Sequence, residues 1–194
     1  MLISSIILAA GYSSRMGSDK ALLKIKGQSV LDIIIQKILP FSQNIIIVTG
    51  SNHQLIQALP FVHSVQIVHN PHPERGMFSS LQAAVNSTIS TSHALIHLID
   101  QPFIQPETYK ILISALDDQH LVFMPNIAAQ KRSGHPIIIA PQVIDLIKNA
   151  PIDDNLRNII RNIPPAMIKR IPVTDLNVLD NINDPTQLKE KLDQ

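Results

Sequence analysis

The chain has 194 residues, 45% of them hydrophobic, with a formal net charge of +1 and no cysteine. That length buries one good core, so a single domain over residues 1–194 is expected. The near-neutral charge gives no basic field for nucleic acid, and the missing cysteines exclude disulfides, thiolate metal sites and cysteine nucleophiles.

No Lys or Arg precedes the opening run MLISSIILAAG, the first cation being Arg15. It therefore lacks the charged start of a secretory signal and reads as a buried strand. No apolar run approaches the ~18 residues that cross a bilayer, so a soluble, cytoplasmic protein without a membrane partner is expected.

Ser4 to Ala10 is a short apolar run ended by glycine, the pattern of a central parallel strand, and Asn44–Thr49, Val65–His69 and Ala94–Ile99 repeat it. Between them the spacing predicts helices over Ser29–Leu39, with Ser29 and Asp32 in a capping relation, and over Gln54–Ala58. A third is predicted over Ser79–Ser90, with Ser79 and Gln82 in the same capping relation. A helix over Pro106–Leu116 and a strand over Leu121–Met124 continue the alternation. Beyond it come a polar connection (Asn126–Ser133), an apolar run (Ile137–Ile139), helices from about Pro141 and Asp154, a strand over Met167–Val173 and a closing helix over Pro185–Leu192. Alternating βα units imply an α/β fold of three layers around a mostly parallel sheet, with its ligand crevice beyond the carboxyl ends of the strands.

Residues 8–20, LAAGYSSRMGSDK, leave the first strand at that edge. Glycine permits close backbone approach, so amides around Gly11 can turn inward on an anion. Residues 11–27 hold Arg15, Lys20, Lys24 and Lys26 against Asp19 alone. Phosphate suits such a loop, although neither the Walker spacing nor G-x-G-x-x-G is present. A plain solvated loop is the competing reading.

The segment resembles the signature L-A-(A/G)-G-x-S-x-R-M-G-x-x-K of the nucleotidyltransferases of the molybdenum cofactor family, every position from Leu8 to Lys20 being filled. Asn70-Pro71 followed by Gly76-Met77-Phe78-Ser79-Ser80-Leu81 is similar to the N-P-x-x-x-x-G-M-x-S-S-L segment of the cytidylyl branch. Leu98-Ile99-Asp100-Gln101-Pro102 resembles L-G-D-Q-P, and Gly134-His135-Pro136 matches G-H-P. Two departures stand out: Ile99 in place of glycine, and Asn181-Ile182-Asn183-Asp184-Pro185 in place of D-I-D-T-P.

The resemblance implies a Rossmann-like nucleotidyltransferase fold, with a nucleotide-binding half over about residues 1–105 and an acceptor-binding half over about 106–194. It implies transfer of CMP from CTP to the phosphate of molybdopterin with Mg²⁺, pyrophosphate leaving, and a molybdoenzyme receiving the product. Arg15, Lys20 and Asp100 would be catalytic. Leu8, Ala9, Ala10, Gly11, Asn70, Ser79 and Ser80 would bind the nucleotide, Gln101 and His135 the acceptor. Asp100 and Asn183 would hold the metal, since an asparagine oxygen can also ligate Mg²⁺. Asp100 could instead cap a helix before Pro102, and one of Ser79 and Ser80 is expected to cap its own helix. Guanylyl transfer, a sugar-phosphate or alditol-phosphate acceptor, and a non-catalytic cofactor carrier are the alternatives, Asn181 and Asn183 being the evidence for the carrier. Eight histidines invite a zinc reading, but His93 and His97 on one strand lie ~13 Å apart. Aromatic residues at 4% supply few stacking platforms for single-stranded nucleic acid.

Overall fold

The structure, a computed structural model, describes residues 1–12, 16–61, 63–88 and 92–193. Its elements in chain order are β1 (Ile3–Leu8), β2 (Lys24–Ile25), β3 (Gln28–Ser29), α1 (Val30–Ile38), β4 (Asn44–Thr49), α2 (His53–Gln57), β5 (Gln66–His69), α3 (Met77–Val85) and β6 (His93–Leu98). There follow α4 (Pro106–Ser114), β7 (Val122–Ile127), β8 (Arg132–Ser133), β9 (Ile137–Ile139), α5 (Pro141–Asn149), α6 (Leu156–Arg161), β10 (Ile168–Pro172) and α7 (Pro185–Leu192).

The main sheet runs β10-β7-β9-β6-β1-β4-β5, with β8 paired to β7. Its pairings are parallel except at β9, which lies antiparallel between β6 and β7, and at β8. The expected α/β fold with a mostly parallel sheet therefore forms, with one short reversed strand inserted.

Period-two alternation along β1 divides the core. Ile3, Ile7 and Ala9 face α1 and α4, packing with Leu31, Ile34, Tyr109 and Leu112. Ile6, Leu8 and Ala10 face the opposite layer, where Phe78 and Leu81 of α3 and Val143 and Ile147 of α5 bury their side chains. Helix α1 has the predicted cap, Ser29 Oγ accepting from the Asp32 amide at 3.0 Å. Its buried Leu31, Ile34 and Ile38 each contribute about 1.5–3 kcal/mol of burial.

The third predicted helix starts differently. It begins at Met77, with Gly76 (φ 90°) in the capping position and no side-chain cap. Ser79 thus sits inside the first turn and donates back to the Gly76 carbonyl at 2.8 Å. Gly76 takes a positive φ that a glycine adopts freely, where a serine cap would sit in the extended region as Ser29 does.

From β1 the chain winds outward through β4 and β5, then returns to place β6 on the other flank of β1. The winding direction reverses between β1 and β6, and a crevice opens at the carboxyl ends of such a pair. Leu8 and Leu98 stand in register there.

Candidate active site

A cavity of about 420 Å³ occupies that crevice, lined by Leu8, Ala10 and Gly11 from the end of β1, Lys20, Ser80 of α3, and Leu98 to Asp100 from the end of β6. Gly76, Met77 and Asn181 complete its rim with Pro73. A second cavity, of about 270 Å³, shares Asn181 with it and is walled by Phe103 and residues 177–191. The larger cavity is the one that joins a buried carboxylate to a lysine.

Asp100 leaves β6 as its ladder ends, and its own carbonyl accepts from the Ile182 amide at 2.8 Å. Its carboxylate Oδ2 lies 3.6 Å from Lys20 Nζ, both side chains being under one-fifth exposed. Burial raises the Asp100 pKa above the ordinary carboxylate value, and Lys20 opposes that rise only in part. Asp100 Oδ1 is buried and, among the described residues, has no hydrogen-bond partner. Lys20 Nζ also donates to Asn183 Oδ1 at 3.4 Å, so the lysine draws the two oxygens of the expected metal pair toward one point.

The cationic loop is braced from beneath. Asn52, 5% exposed, donates to the Ala9 carbonyl at 2.9 Å and to Asp19 Oδ2 at 2.7 Å, while its own Oδ1 accepts from the Gly50 amide. Asp19 Oδ1 accepts from the Ala21 amide at 2.8 Å. The one acid in this basic stretch thus ties the loop down. A Cβ on Gly50 would sit 2.6 Å from the Ala10 carbonyl oxygen, which is the close approach that glycine permits there. Both peptide groups of Ala9 are engaged inside the fold, its N–H with the Val48 carbonyl and its carbonyl with Asn52. Arg15 and the serines before it lie outside the described residues.

Asn70, 3% exposed, stands behind the cavity wall and bonds both Ser79 and Ser80. Of the two serines, Ser80 lines the cavity.

Gln101 and His135 meet at Val178. Gln101 Nε2 donates to the Val178 carbonyl at 3.3 Å and to Asn181 Oδ1 at 2.9 Å, and the His135 amide donates to the same carbonyl at 3.0 Å. A Cβ on Gly134 would collide with the Val178 carbonyl oxygen, so only glycine admits this contact. Two buried atoms here, Gln101 Oε1 and His135 Nε2, have no partner among the described residues. Burial pushes the His135 pKa down to about 4.

Beneath the site, His97 and Tyr109 are fully buried. His97 Nδ1 lies 2.8 Å from the Leu98 carbonyl, which can only accept, so Nδ1 carries the proton and Nε2 accepts from the Tyr109 hydroxyl at 2.7 Å. Burial pushes the His97 pKa down to about 3. Lys37 of α1 donates to the Pro102 and Ile104 carbonyls at 2.6 and 2.8 Å and fixes the turn after Asp100.

Asn52, Lys37 and Asn181 are the side chains that sequence reasoning missed. Asn181 was visible as a departure from D-I-D-T-P. No local pattern marks the other two, whose bonds reach 43 and 65 residues along the chain.

The family described as MobA-like NTP transferase domain matches residues 5–168. The chain is 30% identical over 156 residues to the molybdenum cofactor cytidylyltransferase of Escherichia coli (strain K12), covering 80% of this chain and 79% of that one. It is 27% identical to a probable molybdenum cofactor guanylyltransferase of Flavobacterium johnsoniae, covering 94% and 95%. The crystal structure of Rv0371c from Mycobacterium tuberculosis H37Rv superposes with a TM-score of 0.83 at 20% identity, over 100% of this chain and 98% of that one. Another structure of Rv0371c is a complex with manganese, with a TM-score of 0.77 at 18% identity over the whole of both chains.

Proposed function

The chain belongs to the MobA-like NTP transferase domain family and is a nucleotidyltransferase; we propose that it moves CMP from CTP to the terminal phosphate of molybdopterin. The observation that carries this reading is the convergence of Lys20 and Asp100 on one cavity at the β1–β6 edge. A relative named as a cytidylyltransferase, the Gly76 to Leu81 segment and Gln101 support the choice of base.

In the reaction, a phosphate oxygen of the acceptor attacks the α-phosphorus of CTP. The bond to the β-phosphate oxygen breaks, and pyrophosphate leaves in line. Negative charge collects on the α-phosphoryl oxygens and the leaving group, so the chain's task is positioning and charge stabilisation. Lys20 meets the α-phosphate as a mobile point charge, and Arg15 grips the β- and γ-phosphates through its planar fork. Amides from Ala10 and Gly11 complete the cradle, with Leu8 and Ala9 setting its floor. Ser80 addresses the base, while Ser79 and Asn70 lie behind it. Gln101 and His135 line the acceptor side through the wall they build with Val178, in the half that follows residue 105.

A divalent cation fits the donors present. Asp100 offers a buried oxygen with no partner, Asn183 Oδ1 lies on the same lysine, and Mg²⁺ is commonly held by one or two protein oxygens plus substrate phosphates. No group of three or more His, Cys, Asp or Glu among the described residues could hold a metal by itself. When bound, Mg²⁺ would neutralise charge on the α-phosphate and the acceptor. Among the described residues no helix is long and apolar enough to cross a membrane, and we place the reaction in the cytoplasm with a molybdoenzyme as recipient.

The test is pyrophosphate release with Mg²⁺, molybdopterin and each of the four triphosphates in turn. CTP is expected to lead, with one pyrophosphate per cytidylylated product. A lead for GTP would move the chain to the guanylyl branch. Tight cofactor binding with no pyrophosphate from any triphosphate would make it a carrier.

A further inference from the structure

Asn70 ends the loop edge of β5, is 3% exposed and does not line the cavity. Its orientation is fixed by chemistry. Oδ1 accepts from the His72 amide at 2.9 Å, a bond that only the oxygen end of the side chain can make. Nδ2 is thereby turned to α3, where its two hydrogens reach Ser79 Oγ at 2.9 Å and Ser80 Oγ at 3.0 Å.

The two serines answer differently. Ser79 passes its own proton back to the Gly76 and His72 carbonyls, at 2.8 and 3.1 Å. Ser80 accepts from Asn70 but finds no acceptor for its proton among the described residues, and it faces the cavity. One side of the Ser80 oxygen is occupied by a donor, so the hydroxyl hydrogen is left to point toward whatever enters.

We propose that Asn70 is a positioning residue for base choice: by donating to Ser80 it holds that hydroxyl as a hydrogen-bond donor toward the cavity, selecting a base edge that presents an acceptor there. Cytosine presents two, O2 and N3. The inference rests on the cytidylyl reading above and adds to it a residue set behind the cavity wall. Replacing Asn70 by aspartate keeps the shape and the bond to the His72 amide but reverses the polarity at Ser80. The hydroxyl then donates to the carboxylate, and its lone pairs face the base, where they meet the cytosine acceptors unfavourably. A buried site matched to a hydrogen bond discriminates strongly when the polarity is wrong.

The experiment compares wild type, N70D, N70S, S80A and N70D/S80A in CTP and GTP kinetics, with CTP binding followed by calorimetry in parallel. N70D is expected to raise KM for CTP and its dissociation constant 10- to 100-fold, with kcat changed far less and the CTP-to-GTP ratio of kcat/KM falling by a similar factor. N70S replaces the two-hydrogen amide donor by a shorter hydroxyl without adding charge and reads the same effect if N70D does not fold. In the S80A background, N70D should add less than twofold, because its target is gone. Full additivity of the two changes, or an unchanged CTP affinity and base ratio in N70D and N70S, would overturn the proposal. Wild type active with GTP alone would instead refute the cytidylyl reading, and wild type that neither transfers nor binds CTP would refute both.

Discussion

His97 is a buried base whose pKa lies far below that of a free imidazole, and this sets a measurable slope of stability against pH. Burial holds the ring neutral and the nearby Lys37 adds to that effect, while the hydrogen bond to the Leu98 carbonyl opposes it. Its folded pKa is about 3 against 6.5 when unfolded. Below pH 6.5 the unfolded chain therefore takes a proton that the folded chain refuses. The stabilisation is complete above pH 6.5 and is lost as pH falls toward the folded value. Between pH 7 and pH 5 the loss is about 2 kcal/mol for this one group, from the linkage relation. His135, with a folded pKa of about 4, adds a loss of about the same size over that range. Asp100 works in the opposite sense, since its raised pKa costs stability as pH rises above the unfolded carboxylate value. The comparison that isolates His97 is urea unfolding of wild type and H97Q at pH 7 and pH 5, followed by far-ultraviolet circular dichroism. Glutamine keeps an acceptor for Tyr109 and cannot be protonated in this range. The pH 7-to-5 loss in H97Q should be smaller than in wild type by about 2 kcal/mol. Equal losses in the two proteins would refute a neutral, buried His97.

Asp100→Asn should lower transfer at least about 100-fold, because the carboxylate proposed to hold the divalent cation loses its charge. Its melting temperature at pH 7 should not fall, since a poorly solvated carboxylate goes with it; a fall would mean that the Lys20 pair is net stabilising. Gly134→Ala should cost about 1–3 kcal/mol in urea unfolding, as its Cβ would collide with the Val178 backbone. Lys37→Met should destabilise by about 1–3 kcal/mol and lower kcat, both carbonyls after Asp100 losing a charged donor. Unchanged kcat in that variant would show that the turn holds its shape without the lysine.

The βα rhythm was legible because each buried strand is a short Ile- and Val-rich run with a glycine or turn residue at its end. The same rhythm put Gly11 and Asp100 on one edge of the sheet, and they do share a cavity. The reversed direction of β9 was not legible, since Ile137 to Ile139 reads alike either way. Ser79 was misplaced as a cap because its spacing to Gln82 satisfies the capping pattern while Gly76, three residues earlier, takes the turn. Asn52 and Lys37 show why the rest stayed hidden. Each acts through bonds to groups far away in sequence, and single-sequence patterns record spacing within an element rather than contacts between elements.

The Gln101, Gly134 and His135 contacts hold Val178 and Asn181, and Asn181 completes the rim of a cavity whose other walls lie before residue 101. During synthesis the Gly11 to Lys20 segment and Asp100 therefore appear well before the residue that completes their cavity wall. Until Asn181 and Asn183 emerge, the nascent protein has the crevice but only part of its wall, and Lys20 has Asp100 without the amide oxygen that shares it. Competence for the pocket should thus arrive only once residues 178–183 have folded into place, rather than with the central strands of the sheet.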